Sequence, residues 1–114
     1  MVKEVRKIIF DQQDLVEGML NYTQRTRRVM PSRARITGFD IQKTPDRGIS
    51  LKFNFDDPEV EKEVILYQDE IGAALIMQCK VKEIPLPRSA SKSLEADGDS
   101  INLVVAMDWR QQKK

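Results

Sequence analysis

Thr44-Pro45-Asp46-Arg47-Gly48, running directly into Ile49-Ser50-Leu51-Lys52-Phe53-Asn54-Phe55, is the stretch around which the rest of the chain can be organised. Ile49, Leu51, Phe53 and Phe55 alternate with Ser50, Lys52, Asn54 and Asp56, the period of a strand with one face in a core and the other in water. Pro45 suits the first central position of a type I turn, and Gly48 suits the left-handed conformation that closes it. A hairpin is therefore expected, with its first arm over residues 34–43. In that arm Ala34 and Ile36 share one parity, whereas Phe39 and Ile41 share the other. A β-bulge at Gly38 adds one residue and returns both pairs to the same face.

Upstream of the hairpin, Val2, Val5, Ile8, Ile9 and Phe10 lie among Lys3, Arg6 and Lys7, and their β-branched and aromatic content predicts a strand over the second half of that segment. Asp11 reads as a helix N-cap, with Asp14 adding negative charge where the helix dipole favours it. Leu15, Val16, Met19, Leu20 and Thr23 have helical spacing, so a helix is expected over residues 12–28 and is stopped by Met30-Pro31. Gly18 weakens it by about 1 kcal/mol relative to alanine.

Downstream, Asp57-Pro58 has the form of a helix start, and Val60, Val64, Tyr67 and Ile71 have helical spacing. The β-rich run Val64-Ile65-Leu66-Tyr67 competes with that reading, and a short strand over residues 63–67 is preferred. Gln68-Asp69-Glu70 opens a second helix. Ile71, Ala74, Leu75, Gln78 and Cys79 line one side of it, while Ala73, Ile76 and Met77 widen the apolar surface until this becomes a core helix. Pro85 and Pro87 end the helix and force an extended segment. Strands over residues 91–96 and 101–107 then flank the turn Asp97-Gly98-Asp99. Trp109 is expected to fold back on the body.

The order β-α-β-β-(β)-α-β-β predicts an α+β fold: a mainly antiparallel sheet of five to six strands, with two helices on one face and Ser50, Lys52 and Asn54 on the other. Residues 1–109 form a single domain in this reading, and residues 110–114 a polar tail. The length of 114 residues suits one domain that needs neither disulfide nor metal to fold. Apolar residues at 40% and charged residues at 32% match ordinary globular proteins, and nineteen basic against eighteen acidic residues argue against a surface that is basic throughout. Any electrostatic partner must be met by a patch. One cysteine, no apolar run of membrane length and a charged N-terminal segment make the cytoplasm the expected location, with no membrane as partner.

For catalysis the absences weigh most. The chain has no histidine, which removes the commonest general base and every Ser-His or Cys-His pairing; a single cysteine removes the usual zinc sets. Cys79 lies in an apolar helical stripe and reads as a small hydrophobe rather than a nucleophile. No phosphate-binding glycine loop or dinucleotide fingerprint is present. Asp56, Asp57, Glu59, Glu61 and Glu63 form the densest acidic group, yet no calcium-loop spacing occurs among them, and a solvated acidic face accounts for them. No catalytic residue, metal ligand or cofactor is assigned.

Cations are more informative. Arg25, Arg27, Arg28, Arg33 and Arg35 lie within eleven residues that contain no acid. Those near the helix C-terminus suit the negative end of the dipole, which does not explain Arg33 and Arg35. Forked guanidinium donors fit carboxylate or phosphate, so the cluster is a candidate site for an acidic protein segment, a nucleotide or nucleic acid. Only Tyr22 supplies a nearby aromatic, so the nucleic-acid reading rests on charge. A second candidate anion site is Pro87-Arg88-Ser89-Ala90-Ser91-Lys92, with Arg88 and Lys92 as donors, weighed against a plain connection whose prolines set its path. The basic cluster also opposes residues 56–70, which carry seven acids and only Lys62. Such patches can join two copies head to tail or pair within one molecule.

The run Ala73-Ala74-Leu75-Ile76 through Cys79, with Ile84-Pro85-Leu86-Pro87-Arg88 and Lys92-Ser93-Leu94, resembles a recurring pattern in small single-domain bacterial proteins of unknown function. The resemblance implies a family without an assigned activity. It transfers no site residues, and it adds weight only to a shared role for the Pro-Leu-Pro-Arg segment. The expected function is thus a regulatory or adaptor module acting through protein–protein contacts, ahead of nucleic-acid or nucleotide binding and of a carboxylate-based enzyme.

Overall fold

The computed structural model describes residues 2–31, 35–60 and 63–109. Its elements are β1 (Lys3–Phe10), α1 (Gln12–Arg25), β2 (Ile36–Thr44), β3 (Gly48–Phe55), β4 (Ile65–Tyr67), α2 (Gln68–Val81), β5 (Ser91–Asp97) and β6 (Ser100–Asp108). The α+β class and the element order follow the sequence reading, including the short fourth strand.

The single sheet does not. The strands form two antiparallel three-stranded sheets, β1-β6-β5 and β2-β3-β4. Where the sheets approach each other, a side chain rather than a backbone ladder joins them. Gln12, the first residue of α1, accepts from the Phe39 N–H at 2.8 Å and donates to the Asp99 carbonyl at 2.8 Å, so it links β2 to the β5–β6 turn. Gln68, the first residue of α2, accepts in the same way from the Ile49 N–H at 2.9 Å.

The hairpin around which the sequence was read is present with its bulge. Ile36 pairs with Phe55 but Gly38 pairs with Asn54, so Thr37 is the extra residue, and Phe39 then faces Phe53. Those two rings meet edge to face with centroids 4.8 Å apart. Gly48 has φ +72°, and a Cβ there would lie 1.9 Å from the Gln68 Oε1, so both the turn and the Gln68 clasp require glycine. Ser50 departs from expectation: it is buried rather than on a wet face. It sits on the central strand between Gln42 and Tyr67, whose larger side chains flank it.

Asp11 caps α1 with a full capping box, its carboxylate accepting from the Asp14 N–H while Asp14 accepts from the Asp11 N–H. α2 buries Ile71, Ala74, Leu75, Gln78 and Cys79, the face its spacing predicted. These residues join Phe10, Leu15, Met19, Leu51, Phe53, Leu66, Ile101 and Leu103 in one core that spans both helices and both sheets. β1 is a strand over its whole length, not its second half alone. Trp109 donates its backbone N–H to the Val2 carbonyl, extending the β1–β6 ladder, and is 44% exposed, so it is covered only in part. Among the described residues, no helix is long and apolar enough to cross a membrane. The proposed tail, residues 110–114, lies outside the described residues.

Candidate functional site: a groove at the end of the first helix

α1 stops at Arg25, three residues short of the expected boundary, because it closes with a backbone motif that carries no glycine signal. The Arg28 N–H donates to the Thr23 carbonyl at 3.0 Å and the Arg27 N–H to the Gln24 carbonyl at 3.4 Å, with Arg27 at φ +53°. This is the six-to-one and five-to-two pattern of a Schellman closure, with arginine where glycine usually sits. A side chain in the left-handed region costs about 1 kcal/mol. The turn reverses the chain and throws Arg27 outward.

Beside that turn lies an open groove of about 500 Å³, lined by Leu20, Thr23, Gln24, Arg27, Arg28, Met30, Arg35 and Ile36. Its floor is mainly apolar. Leu20 is partly exposed there, while Met30 and Ile36 are half-buried against the core. Three of the five arginines singled out from the sequence are thus brought to one rim. Arg25 is exposed on the last turn of the helix and outside the groove, and Arg33 lies outside the described residues.

Their hydrogen bonds divide the arginines further. Arg28 is half-buried, paired with Glu70 of α2 and donating to the Ile65 carbonyl at 2.9 Å, so it ties the end of α1 to β4 and α2. Arg35 accepts from the Asp56 N–H at 3.0 Å through its carbonyl and donates its own N–H to Asp56 at 2.9 Å. Its guanidinium reaches Asp56 only through Nε, at 3.3 Å, and stays largely in solvent. The Arg35 backbone N–H, then the guanidinium, hold the Asp56 carboxyl below its usual range. Arg25 and Arg27 make no ion pair with any described residue. The basic cluster and the acidic stretch therefore pair within one molecule at Arg28–Glu70 and Arg35–Asp56. Tyr22, on the same turn of α1, has its hydroxyl pKa pushed up by burial and then by Glu70.

The second candidate, Arg88 with Lys92, is built differently. Lys92 turns its ammonium back onto its own connection, donating to the Pro87 and Ala90 carbonyls at 3.3 and 3.2 Å. Arg88 is exposed, and the segment before it packs Ile84 and Leu86 against the core while Arg6 donates to the Pro85 carbonyl at 3.3 Å. The two cations do not converge on a shared anion position. In the acidic group, Asp56 is held by Arg35 and Glu63 by Lys52 at 2.9 Å; Glu61 lies outside the described residues. Among the described residues no three acidic or cysteine side chains gather as a metal site. Cys79 is buried and its thiol is pushed up by desolvation, which suits its structural role.

The sequence reading missed the apolar members of the groove. Helical spacing puts Leu20 in the helix's core stripe, and nothing in the pattern sets Met30 and Ile36 beside it, since their approach depends on the reversal at Arg27. No known family, curated protein or solved structure matches the chain.

Proposed function

We propose that this protein is an adaptor or regulatory binding module, acting in the cytoplasm, that docks an acidic amphipathic segment of another protein in the groove at the end of α1. The observation that carries the reading is Arg27, at positive φ and without an ion pair among the described residues, on the rim of an apolar floor. Positive φ alone does not single Arg27 out, since Glu83 closes α2 in the same way; what does is its place beside an apolar groove. An apolar side chain of the partner would seat on Leu20, Met30 and Ile36, with carboxylates on Arg27 and the free nitrogens of Arg35. Charge-assisted pairs at the rim would add orientation and on-rate, and the apolar seat most of the binding energy.

The apolar floor favours a peptide over nucleic acid, whose backbone offers no matching surface.

Panning a displayed peptide library on the purified protein tests this. The expected ligands carry a large apolar residue flanked by acids, and lose binding to both Leu20→Glu and Arg27→Ala. A library with no enrichment, or ligands indifferent to both changes, overturns the reading. Oligonucleotide binding that falls steeply with salt and is lost in Arg25→Ala/Arg27→Ala would put nucleic acid in its place.

A further inference from the structure

Among the described residues each of the two sheets has two outer strands, and three of these are guarded against pairing with another chain. β4 is three residues long, and β2 carries the bulge at Thr37 and has its Phe39 N–H taken by Gln12. β5 runs beside the β2–β3 turn and the start of α2, sharing a cavity wall with Gly48 and Gln68. β1 is different: eight residues, without bulge or proline, and with no described strand on its outer side. Trp109 donates its N–H to the Val2 carbonyl, so Val2 and every second residue after it, Glu4, Arg6, Ile8 and Phe10, turn their backbone groups to β6. The N–H and C=O groups of Lys3, Val5, Lys7 and Ile9 therefore point away from the sheet. Val5 and Ile9, on the open face that no described helix covers, are 61% and 64% exposed.

A cavity of about 270 Å³ opens along this edge. Ile8, Ile9 and Phe10 all line it although their side chains alternate between faces, so it follows the rim of the strand, with Asp14, Glu17 and Lys82 across from them. Glu17 meets Lys82 at 3.0 Å and Asp14 accepts from the Asp11 N–H, so carboxylates outnumber cations there.

A second β1, antiparallel across a two-fold axis normal to the sheet, keeps each face on its own side, so the pairing must centre on a residue and not between two. The two longest registers of this kind overlap over residues 3–9 or residues 4–10. The first centres on Arg6, sets the two Arg6 side chains against each other in a close, non-hydrogen-bonded pair, and puts Val5 opposite Lys7. The second centres on Lys7. It pairs Val5 with Ile9 twice on the open face, and sets Arg6 of one copy opposite Ile8 of the other, at the cavity that Asp14 and Glu17 line. Glu4 falls opposite Phe10, at the start of α1. The two Lys7 residues meet on the axis, yet each ammonium reaches back across β6 to Glu95 of β5 at 2.9 Å, away from the seam. Arg6 gives one nitrogen to the Pro85 carbonyl at 3.3 Å and keeps the rest of its fork.

We infer that β1 is the seam of a homodimer, in which two copies pair antiparallel through residues 4–10 and join their β1-β6-β5 sheets into one continuous sheet. Backbone groups that face solvent in one chain become a ladder, Val5 and Ile9 cover each other across it, and Arg6 of each copy meets the acidic cavity of the other. The groove at the end of α1 takes no part in the seam, and the dimer carries two of them.

Sedimentation velocity over roughly 5 to 200 µM, a span that brackets the dissociation constant of a small interface, tests the inference. The wild type is expected to pass from monomer to dimer across it. Val5→Pro is expected to stay monomeric with an unchanged circular dichroism spectrum, because the N–H it removes serves only the seam. Two measurements do not depend on that variant folding. Lys7→Cys should form an intermolecular disulfide on air oxidation, since the two copies of that position meet at about 5.5 Å between Cα atoms. Lys3→Cys should not, since its own copy lies at the far end of the seam; Cys79 is buried and does not compete. Arg6→Glu and Glu17→Arg should each dimerise about tenfold more weakly alone. Their one-to-one mixture should recover the dimer, because each altered side chain then meets its opposite charge in the other protein. A monomeric wild type, a folded Val5→Pro that still dimerises, Lys3→Cys cross-linking as readily as Lys7→Cys, or two charge variants that stay apart when mixed would overturn it.

Discussion

The two helices end alike and lead to opposite surfaces. α1 leaves through Thr26, Arg27 and Arg28, and α2 through Lys82, Glu83 and Ile84. In each the second of these residues has positive φ, +53° at Arg27 and +58° at Glu83, and the third donates its N–H back to the helix, Ile84 to the Cys79 carbonyl at 2.8 Å. Beyond α2 the chain lies back over the sheet. Ile84 and Leu86 pack on the core, the Ser89 hydroxyl reaches the Met107 sulfur at 3.6 Å, and Lys92 fastens the turn through two carbonyls. Beyond α1 no described residue covers the groove. An identical closing motif is thus compatible with a sealed end and with a site; what separates them is whether the following residues bring their own apolar cover and use up their own donors.

This contrast makes predictions of graded size. Arg28→Ala should cost the most, about 2–3 kcal/mol in urea unfolding, because it strands the half-buried Glu70 and a backbone carbonyl. A cost below 0.5 kcal/mol would mean that the end of α1 is not held there. Lys92→Ala should lose about 1 kcal/mol, by uncapping two carbonyls of the sealed end, whereas Arg88→Ala should leave stability and peptide binding unchanged.

Arg27→Gly and Glu83→Gly should each stabilise by about 0.5–1 kcal/mol, since glycine relaxes the left-handed position. Only Arg27→Gly should weaken the peptide. Equal binding by the two variants would remove the distinction between the helix ends.

The smallest effect lies on the open sheet face and needs NMR titration. Lys7, through a side-chain hydrogen bond, then Asn102, depress the Glu95 carboxyl below its ordinary 4.5. A group depressed in the folded state contributes stability above its unfolded pKa and loses it as pH falls through the lower folded value. Lys7→Ala should therefore move the Glu95 titration upward toward 4.5, and the acid limb of the stability curve should become shallower. An unmoved titration would mean that the ion pair is not formed in solution.

Much of the fold could be read because its signals are local. Alternation at Ile49 to Phe55, the parity switch repaired at Gly38, the cap at Asp11 and the buried stripe of α2 each depend on residues a few positions apart, and the structure keeps all of them. What failed was non-local or unsignalled. Helical spacing carries α1 three residues past its true end, because arginine, unlike glycine, does not advertise a left-handed closure. Alternation puts Ser50 in water because it ignores what its neighbours on either side cover.

The candidate site divides in the same way. Composition picked out the arginines as a group, but density of charge along the chain says nothing of which donors are already used. Arg28 and Lys92 are engaged by carboxylate or carbonyl partners, Arg35 keeps part of its fork, and Arg27 is left over.

Strand and helix identity, turn chemistry and the core face of each element were therefore contained in the chain's local pattern, because backbone sterics and burial act over a few residues. The split into two sheets, the groove and the division of the arginines belong to the assembled molecule. They depend on contacts such as Gln12 to Phe39 and Asp99, or Arg28 to Ile65 and Glu70, whose partners are 27 to 87 positions apart. No periodicity along the chain encodes a pairing at that range.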